Sequence, residues 1–333
     1  MSTVALPLAP LVQAFFVDYL RQQKDASPRT VAAYRDTFRV LLEFLNTTTA
    51  TPPCALSVDD LDAPVVLRFL DYLERERHNT ARSRNARLVA IRSFFRFVAL
   101  REPTALAVAT RVLAIPAKRT TRPLIGYLSR AEIDAVIAAS DRLSRAGRRD
   151  HALLLTMYNT GARVSEIAAL RQGDVTLRAA AHLQLHGKGR KQRAVPIWPR
   201  TARTLRQWFS ELGGAPHHPA FPNARAGPLS RHGIAFILRR ATDLAGQACP
   251  SLRRKPVSPH TIRHTTAMHL LQSGVDPAVI ALWLGHETLE TTHVYVEADL
   301  AMKRRALDKL SPAGPRPRSF KPSDPLLSFL TSL

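Results

Sequence analysis

The residues best suited to chemistry in this chain are a tyrosine, two arginines, a lysine and two histidines that could act together on one phosphodiester. In chain order they are Arg163, Lys188, His260, Arg263, His286 and Tyr295. A tyrosine phenol that attacks phosphorus forms a covalent phosphate ester. The transition state places negative charge on two non-bridging oxygens, which planar guanidinium groups bind in bidentate fashion. The set therefore predicts an enzyme that transfers DNA strands.

Each upstream residue has a predicted role. Arg163 and Arg263 are expected to bind the non-bridging oxygens, where preorganised donors stabilise developing charge most. Lys188 lies in a turn flanked by Gly187 and Gly189, and a lysine there suits a general acid that protonates the departing 5′-oxygen. Glu166, one helical turn after Arg163, is expected to orient it; a simple helix-start carboxylate is the alternative.

The segment from His260 to His264 raises the question of a metal site. His260 and Arg263 are three residues apart and so share one face of a helix, where His260 is expected to assist proton transfer at the tyrosine or to bind the phosphate. His260 and His264 are four apart, as zinc ligands on a helix often are. A zinc hydrolase would have Glu where Thr261 stands, so no metal is expected, and His264 and His269 are assigned structural roles.

The last two site candidates follow Leu284 and Gly285. His286 is expected to donate to a phosphate oxygen. Tyr295 could be an ordinary half-buried aromatic, but its position nine residues after His286 favours the nucleophile. Because a phosphotyrosine bond conserves the energy of the broken phosphodiester, neither ATP nor a metal nor any other cofactor is expected.

Composition agrees with a polyanionic partner. The 333 residues carry a formal net charge of +22, and nucleic acid is the commonest partner of so basic a protein. Arginine supplies 40 of the 48 basic residues, a choice that a GC-rich genome would produce whatever the function. Cys54 and Cys249 are far apart and belong to no paired motif, which favours a reducing cytoplasm. No export signal or membrane span is predicted.

The N-terminal part predicts a small helical domain. Apolar periodicity gives four helices, at 11–23, 30–45, 65–77 and 81–100. The fourth should place Leu88, Ile91, Phe95 and Val98 in a core. It also carries arginines without an acidic residue between them; the expected phosphate contacts there are Arg82, Arg84, Arg87, Arg92 and Arg96. A solvated basic face is the alternative.

A proline-containing linker at 115–123 is expected to precede a second domain. Ser129 and Glu132 form a capping box at its first helix. Short strands are predicted at 175–177, 182–185 and 194–197, with a turn at 187–191. Arg190 and Lys191 in that turn are expected to contact the DNA backbone.

Five ordered motifs resemble those of the tyrosine recombinases, the phage-integrase and Xer-type group. They are Thr160-Gly161-Ala162-Arg163-Val164-Ser165-Glu166, Gly187-Lys188-Gly189, His260-Thr261-Ile262-Arg263-His264, Leu284-Gly285-His286 and Tyr295. The resemblance implies a mainly α protein with a small antiparallel β-sheet in its C-terminal domain. It also implies a helical SAM-like core-binding domain at 1–114, the linker at 115–123, a catalytic domain at 124–310 and a tail at 311–333, the two domains clamping duplex DNA as a C shape.

The function implied by the resemblance is site-specific recombination. A 3′-phosphotyrosine intermediate, a Holliday junction and a tetramer on double-stranded DNA with an inverted-repeat site are expected, the tetramer being homomeric or shared with a related recombinase. The location expected is the cytoplasm, at the bacterial nucleoid. Mobile-element integration, excision or transposition and Xer-like resolution both stay open. A type IB topoisomerase and a catalytically silent DNA-binding protein are the alternatives.

The C-terminal tail predicts one more short helix. Asp324 is a good N-cap with Pro325 after it, and an apolar stripe follows at Leu326, Leu327, Leu330 and Leu333. So short a helix needs a groove to be stable. Docking on a neighbouring protomer is the hypothesis; docking on its own domain and disorder are the alternatives. Because no long segment precedes Leu11, the simple Xer-like domain plan is expected.

Overall fold

The computed structural model describes residues 6–120, 126–187, 191–285 and 295. The chain divides into two compact units, Met1–Arg122 (unit 1) and Pro123–Leu333 (unit 2). Most of the described residues are helical, and three short strands form one antiparallel sheet. Within the described ranges, no helix is both long enough and apolar enough to cross a membrane.

Unit 1 is built from helices. Its α-helices are α1 (Leu8–Ala14), α2 (Pro28–Thr49), α3 (Ala63–Arg75), α4 (Ala81–Arg101) and α5 (Leu106–Leu113). A π-helical segment, Phe15–Gln23, continues α1. The predicted first helix is thus two segments with different hydrogen-bond spacing, and α5 was missed altogether. Eight residues are too few for an apolar period to be recognised.

The core of unit 1 forms where α4 crosses the other helices. The side chains predicted for this core, Leu88, Ile91, Phe95 and Val98, are all buried. Phe15 lies at the centre of a cluster of aromatic rings and packs edge-on against Phe94, with ring centroids 5.4 Å apart. Thr80 caps α4, its hydroxyl accepting a hydrogen bond from the Ser83 N–H.

The arginines of α4 do not share one exposed surface, which corrects the sequence-based expectation. Arg84 is buried, donates to the Pro116 carbonyl and lies 3.9 Å from a Glu74 carboxylate oxygen. Arg92 donates to the Ile115 carbonyl. Both side chains hold the segment that follows α5, because guanidinium groups satisfy carbonyls that would otherwise lack donors. Arg82 and Arg96 are exposed, and Arg87 is half-buried.

The same segment corrects the picture of a free linker beginning at residue 115. Ile115 is buried in the core of unit 1. Lys118 and Asn85 exchange two hydrogen bonds, at 2.8 and 3.0 Å, and the Lys118 ammonium lies 2.6 Å from Glu74. The chain is therefore fixed to unit 1 as far as Lys118.

Unit 2 consists of seven described α-helices around one small sheet. The helices are α6 (Arg130–Ala138), α7 (Arg145–Thr160), α8 (Val164–Ala169), α9 (Pro199–Leu212), α10 (Arg231–Ala248), α11 (Pro259–Gln272) and α12 (Pro277–Leu284). The strands are β1 (Val175–Thr176), β2 (His182–His186) and β3 (Gln192–Pro196), paired antiparallel in the order β1-β2-β3. The predicted strand regions and the small sheet are confirmed.

The sheet and α7 support the residues around Arg163. Gln184 pairs with Ala194 and Leu185 with Arg193, so β2 and β3 form a hairpin that ends at Gly187 and Lys191. Helix α7 is buried along most of its length and ends at Gly161, where φ is +59°. Only glycine adopts this conformation without cost, and a Cβ atom here would stand 2.5 Å from a methyl carbon of Leu284.

Candidate active site

The structure brings together four of the predicted site residues and one histidine that had been assigned a structural role. Arg163, Glu166, Arg263 and Tyr295 are linked by contacts in unit 2, and His264 joins them. Lys188, Arg190 and His286 lie outside the described residues. Lys191 is described and is exposed at the end of the β2–β3 hairpin.

Arg163 stands at the first turn of α8, directly after the Gly161 turn. Its backbone N–H donates to Oε2 of Glu166 (2.8 Å), and its Nη1 donates to Oε1 of the same carboxylate (3.1 Å). Its Nη2 donates to the carbonyl of Gly285 (3.0 Å). The side chain keeps 31% of its surface exposed, so it reaches solvent while its base is held.

Glu166 is buried beneath Arg163. Burial works to raise the pKa of its carboxyl, but hydrogen bonds and charge from Arg193, with those from Arg163, act against it and leave the pKa below its ordinary value. Glu166 is therefore ionised at neutral pH, as a partner of two arginines must be.

Arg263 is the most enclosed cation of the group, with 5% of its surface exposed. It lies on α11, one turn after the N-cap Ser258, and donates to the carbonyls of Gly161 and Leu284, each at 2.8 Å. Burial, helped by the charge of Arg163, lowers its pKa to about 10. Its charge persists at neutral pH, and the two carbonyls compensate for the water it has lost.

Tyr295 is buried, with its hydroxyl 2.9 Å from Nδ1 of His264. Burial raises the pKa of the phenol, while the positive charges of Arg263 and Arg163 lower it, and the net shift is upward. Burial lowers the pKa of His264 to about 4, and His260 and Arg263 act in the same direction. His264 is therefore neutral at physiological pH and can share a proton with the phenol.

His260 is exposed near the start of α11, and its ring stacks on His264 with centroids 6.2 Å apart. The sequence-based assignment gave the contact with the tyrosine to His260; in the structure the atom beside the phenol belongs to His264. One helical turn separates the two rings, so sequence spacing alone does not distinguish them. Among the described residues, no three histidine, cysteine or acidic side chains converge as metal ligands would.

His269 has the structural role expected of it. Its Nδ1 lies 2.8 Å from the Tyr158 hydroxyl, which also accepts a hydrogen bond from Arg130. Burial lowers the pKa of His269 and raises that of Tyr158. The three side chains join α6, α7 and α11 behind the site.

Arg193 is the site residue that sequence reasoning missed. It lies on β3 and donates to both oxygens of Glu166, at 2.9 and 2.8 Å, and to the carbonyl of Trp283, at 2.9 Å. The only hint in the sequence was a basic residue directly before the strand predicted at 194–197. Its partner is 27 positions away, beyond the reach of any local pattern.

The charges and contacts of this group are chemically suited to a phosphate with a phenol beside it. Two guanidinium groups, one buried and one reaching solvent, lie within electrostatic range of Tyr295. Such a pair can bind a tetrahedral or pentacoordinate phosphorus group while the phenol approaches it.

Comparison with known sequences identifies relatives over both units. Residues 127–302 match the Phage integrase family, and residues 14–102 match its N-terminal SAM-like domain. The chain is 49% identical to the “Putative integrase/recombinase y4rC” of Sinorhizobium fredii over 98% of both sequences. It is 31% identical to the tyrosine recombinase XerC of Pelobacter propionicus, over 93% of this chain and 98% of that one.

Solved structures share the fold. The XerH site-specific recombinase bound to palindromic difH substrate aligns with a TM-score of 0.67 at 19% identity, covering 93% of this chain and 91% of that one. The Tn1549 transposon integrase in complex with a circular intermediate DNA aligns with a TM-score of 0.68 at 14% identity, covering 92% and 100%.

Proposed function

Since the chain belongs to the phage integrase family and is therefore a tyrosine-type site-specific DNA recombinase, we propose that Tyr295 is its nucleophile. The phenolic oxygen attacks the scissile phosphorus, the bond from phosphorus to the 5′-oxygen breaks, and the product is a 3′-phosphotyrosine with a free 5′-hydroxyl. The observation that supports this best is the position of the Tyr295 hydroxyl, 2.9 Å from Nδ1 of His264 and under the influence of the positive charges of Arg263 and Arg163.

The other side chains have separate tasks in the proposed reaction. Arg163 and Arg263 bind the non-bridging oxygens as charge develops on them. Lys188 protonates the leaving 5′-oxygen, and His286 donates to the phosphate. His264, with His260 stacked on it, receives the proton that the phenol loses. Glu166 holds Arg163 in place.

Outside the active site, basic residues of α4 and of the turn predicted at 187–191 are proposed to contact DNA. We assign phosphate contacts to Arg82, Arg87 and Arg96 on α4, and to Arg190 and Lys191 on the β2–β3 hairpin. Arg84 and Arg92 are left out because they hold the segment after α5. Contacts of this kind position the protein and do not read sequence.

The proposed substrate is double-stranded DNA carrying an inverted repeat. Four protomers, identical or shared with a related recombinase, bring two sites together and exchange strands in pairs through a Holliday junction. Integration, excision or transposition of a mobile element is one biological task and Xer-like resolution the other; relatives named integrase/recombinase and relatives named XerC both support the range. DNA flanking the gene should contain inverted half-sites of about 11 bases, about one helical turn apart.

The nucleophile is tested with a nicked suicide substrate, which traps the covalent complex because the short 5′ fragment diffuses away. The native protein should form a covalent adduct, and Tyr295→Phe should form none while retaining DNA affinity, because only the phenolic oxygen is removed. Tyr158→Phe is the matched control, since it removes a buried hydroxyl from the same unit. An adduct from Tyr295→Phe would refute the assignment.

A supercoiled plasmid that carries two sites, used together with the suicide substrate, separates the alternatives. A type IB topoisomerase would relax supercoiled DNA without recombining two sites, and a silent DNA-binding protein would form no adduct. Recombination of two sites on one plasmid, with Holliday junctions visible as intermediates, is the expected result.

A further inference from the structure

Arg193 is a largely buried cation that contacts Glu166. Only 13% of its side chain is exposed. Its guanidinium donates to both oxygens of Glu166 and to the Trp283 carbonyl. It thereby joins strand β3, the first turn of α8 and the end of α12, three of the elements that carry or support the proposed site.

The contacts of Glu166 show a division between its two arginines. Arg193 takes both carboxylate oxygens in the bidentate geometry that is strongest for this pair. Arg163 takes one oxygen with its backbone N–H and the other with a single side-chain nitrogen, at 3.1 Å. Apart from these bonds and the one from Nη2 to the Gly285 carbonyl, the N–H groups of the Arg163 guanidinium are left for another acceptor.

We propose that Arg193 is a positioning residue that prevents Glu166 from closing a bidentate ion pair with Arg163. Without Arg193, the buried carboxylate, only 2% exposed, would keep one cationic neighbour within reach, and Arg163 would turn its fork onto it. Arg163 would then be withdrawn from the scissile phosphate. This inference rests on the proposed function, since it assumes that Arg163 binds that phosphate.

A second contact extends the same role to the segment before His286. Gly285 lies so close to Arg193 that a Cβ atom there would stand 3.0 Å from Nη1. The neighbouring carbonyls of Leu284 and Gly285 accept hydrogen bonds from Arg263 and Arg163. Arg193 therefore fixes the backbone against which both proposed phosphate ligands are set.

The proposal predicts that a second substitution will repair the first. Arg193→Ala should slow single-turnover cleavage of the suicide substrate more than tenfold with little change in DNA affinity. Glu166→Gln added to Arg193→Ala removes the charge that captures Arg163, so the double variant should cleave at least several-fold faster than Arg193→Ala alone. Arg193→Lys should fall between the native protein and Arg193→Ala, because one ammonium can occupy only part of the carboxylate.

Arg148→Ala is the matched control. Arg148 also donates to both oxygens of a glutamate, Glu211, and to backbone carbonyls, but it lies on the surface and takes no part in the proposed site. Removal of this pair should leave cleavage unchanged. If Arg193→Ala does not fold, Arg193→Gln with and without Glu166→Gln provides the same comparison.

A purely structural role for Arg193 gives the opposite order. Adding Glu166→Gln would then leave the double variant as slow as Arg193→Ala or slower, and either result overturns the proposal. Native-like cleavage by Arg193→Ala would overturn it as well. The proposed function fails in a distinguishable way, through absence of a Tyr295 adduct in the native protein.

Discussion

A single buried guanidinium illustrates how the side chains of this site work. Arg263 gives up most of its hydration and receives two carbonyls in return, which keeps its charge while fixing its plane. A lysine ammonium can carry the same charge but cannot satisfy two carbonyls and a phosphate in one plane.

Arg263→Lys should therefore lower the rate of covalent adduct formation by about 10²–10³-fold, the effect of losing one transition-state donor. Affinity for uncleaved DNA should change little, because that affinity is spread over many phosphates. Arg253→Lys is a suitable control, since Arg253 also donates to a carbonyl, that of Gly246, but at another place in unit 2. Equal reductions in binding and cleavage would exclude Arg263 as a ligand of the phosphate in the transition state.

His264 should give the protein a recognisable response to acid. Burial lowers its pKa to about 4, below the ordinary value of about 6.5, so the fold favours neutral imidazole. The stability that this contributes is fully present above about pH 6.5 and is lost as pH falls through the interval down to about 4. The difference in unfolding free energy between the native protein and His264→Asn should narrow over that interval. A difference independent of pH would contradict the burial of neutral His264.

The general-acid role of Lys188 can be tested by changing only the leaving group of the substrate. Lys188→Ala should slow cleavage of an ordinary substrate strongly but cleavage of a 5′-thiolate-leaving substrate much less, because a thiolate departs without being protonated. Equal reductions in rate on the two substrates would exclude Lys188 as the general acid.

The residues identified from sequence were those whose partners lie close to them along the chain. Arg163 with Glu166, and His260 with Arg263, are separated by one helical turn, so a period of 3.6 relates them directly. Arg193 was not identified because its partner, Glu166, is distant in sequence. His264 was not identified because the choice between it and His260 depends on where the Tyr295 hydroxyl lies in the folded protein.

Among the elements, α6 shows how a local capping motif becomes a tertiary joint. The Ser129 and Glu132 box is present as predicted. The same carboxylate also accepts a hydrogen bond from Ser251 and pairs with Lys255, each at 2.6 Å. Burial acts to raise the pKa of Glu132, but these partners lower it to about 2. A cap recognised from four residues thus ties α6 to the segment that leads into α11.

Glu132→Gln should lower the unfolding free energy by about 2–3 kcal/mol, the usual worth of hydrogen bonds to a charged group. The stability from this depressed pKa is present above about pH 4.5 and is lost as pH falls toward 2. Chemical denaturation at pH 7 and pH 3 is the measurement. The destabilisation should be smaller at pH 3, and an equal effect at both values would show that ionisation of Glu132 is not involved.

The arginines of α4 should divide into two classes when binding is measured against salt. Replacing the exposed Arg82 and Arg96 by Gln should lower the slope of log affinity against log salt by about 0.9 for each phosphate that is no longer neutralised, without reducing stability. Arg84→Gln should instead lower stability, since it removes the donor to the Pro116 carbonyl and one of the two cations beside Glu74, the other being Lys118. An unchanged slope for the double variant would show that Arg82 and Arg96 do not contact phosphates and belong to an ordinary solvated surface.

Helix existence was predictable where apolar periodicity was long, as in α2 and α4. The change from α-helix to π-helix at Phe15 was not, because it arises where that ring enters an aromatic cluster formed by distant helices. Helix α5 was not predicted because its eight residues are too few to show an apolar period.

For the whole molecule, the net charge of +22 favours DNA association but does not assemble protomers. The tail at 311–333 lies outside the described residues, and its docking on a neighbouring protomer stays a prediction. Deleting Lys321 to Leu333 should leave single-site binding nearly intact while reducing synaptic tetramers and complete recombination. Gel mobility and plasmid recombination measure the two. Normal tetramers and a normal rate from the truncated protein would end the trans-docking hypothesis.

The carbonyl contacts of Arg263 also determine when conformational entropy is lost. A free arginine side chain carries about 2 kcal/mol of rotamer entropy. Both terminal nitrogens of Arg263 are held by the Gly161 and Leu284 carbonyls without DNA, so that freedom disappears when unit 2 folds and not when a phosphate arrives. Exposed arginines such as Arg82 lose it only on binding. Calorimetry of phosphate binding should therefore show a smaller entropic penalty for Arg263 than for Arg82.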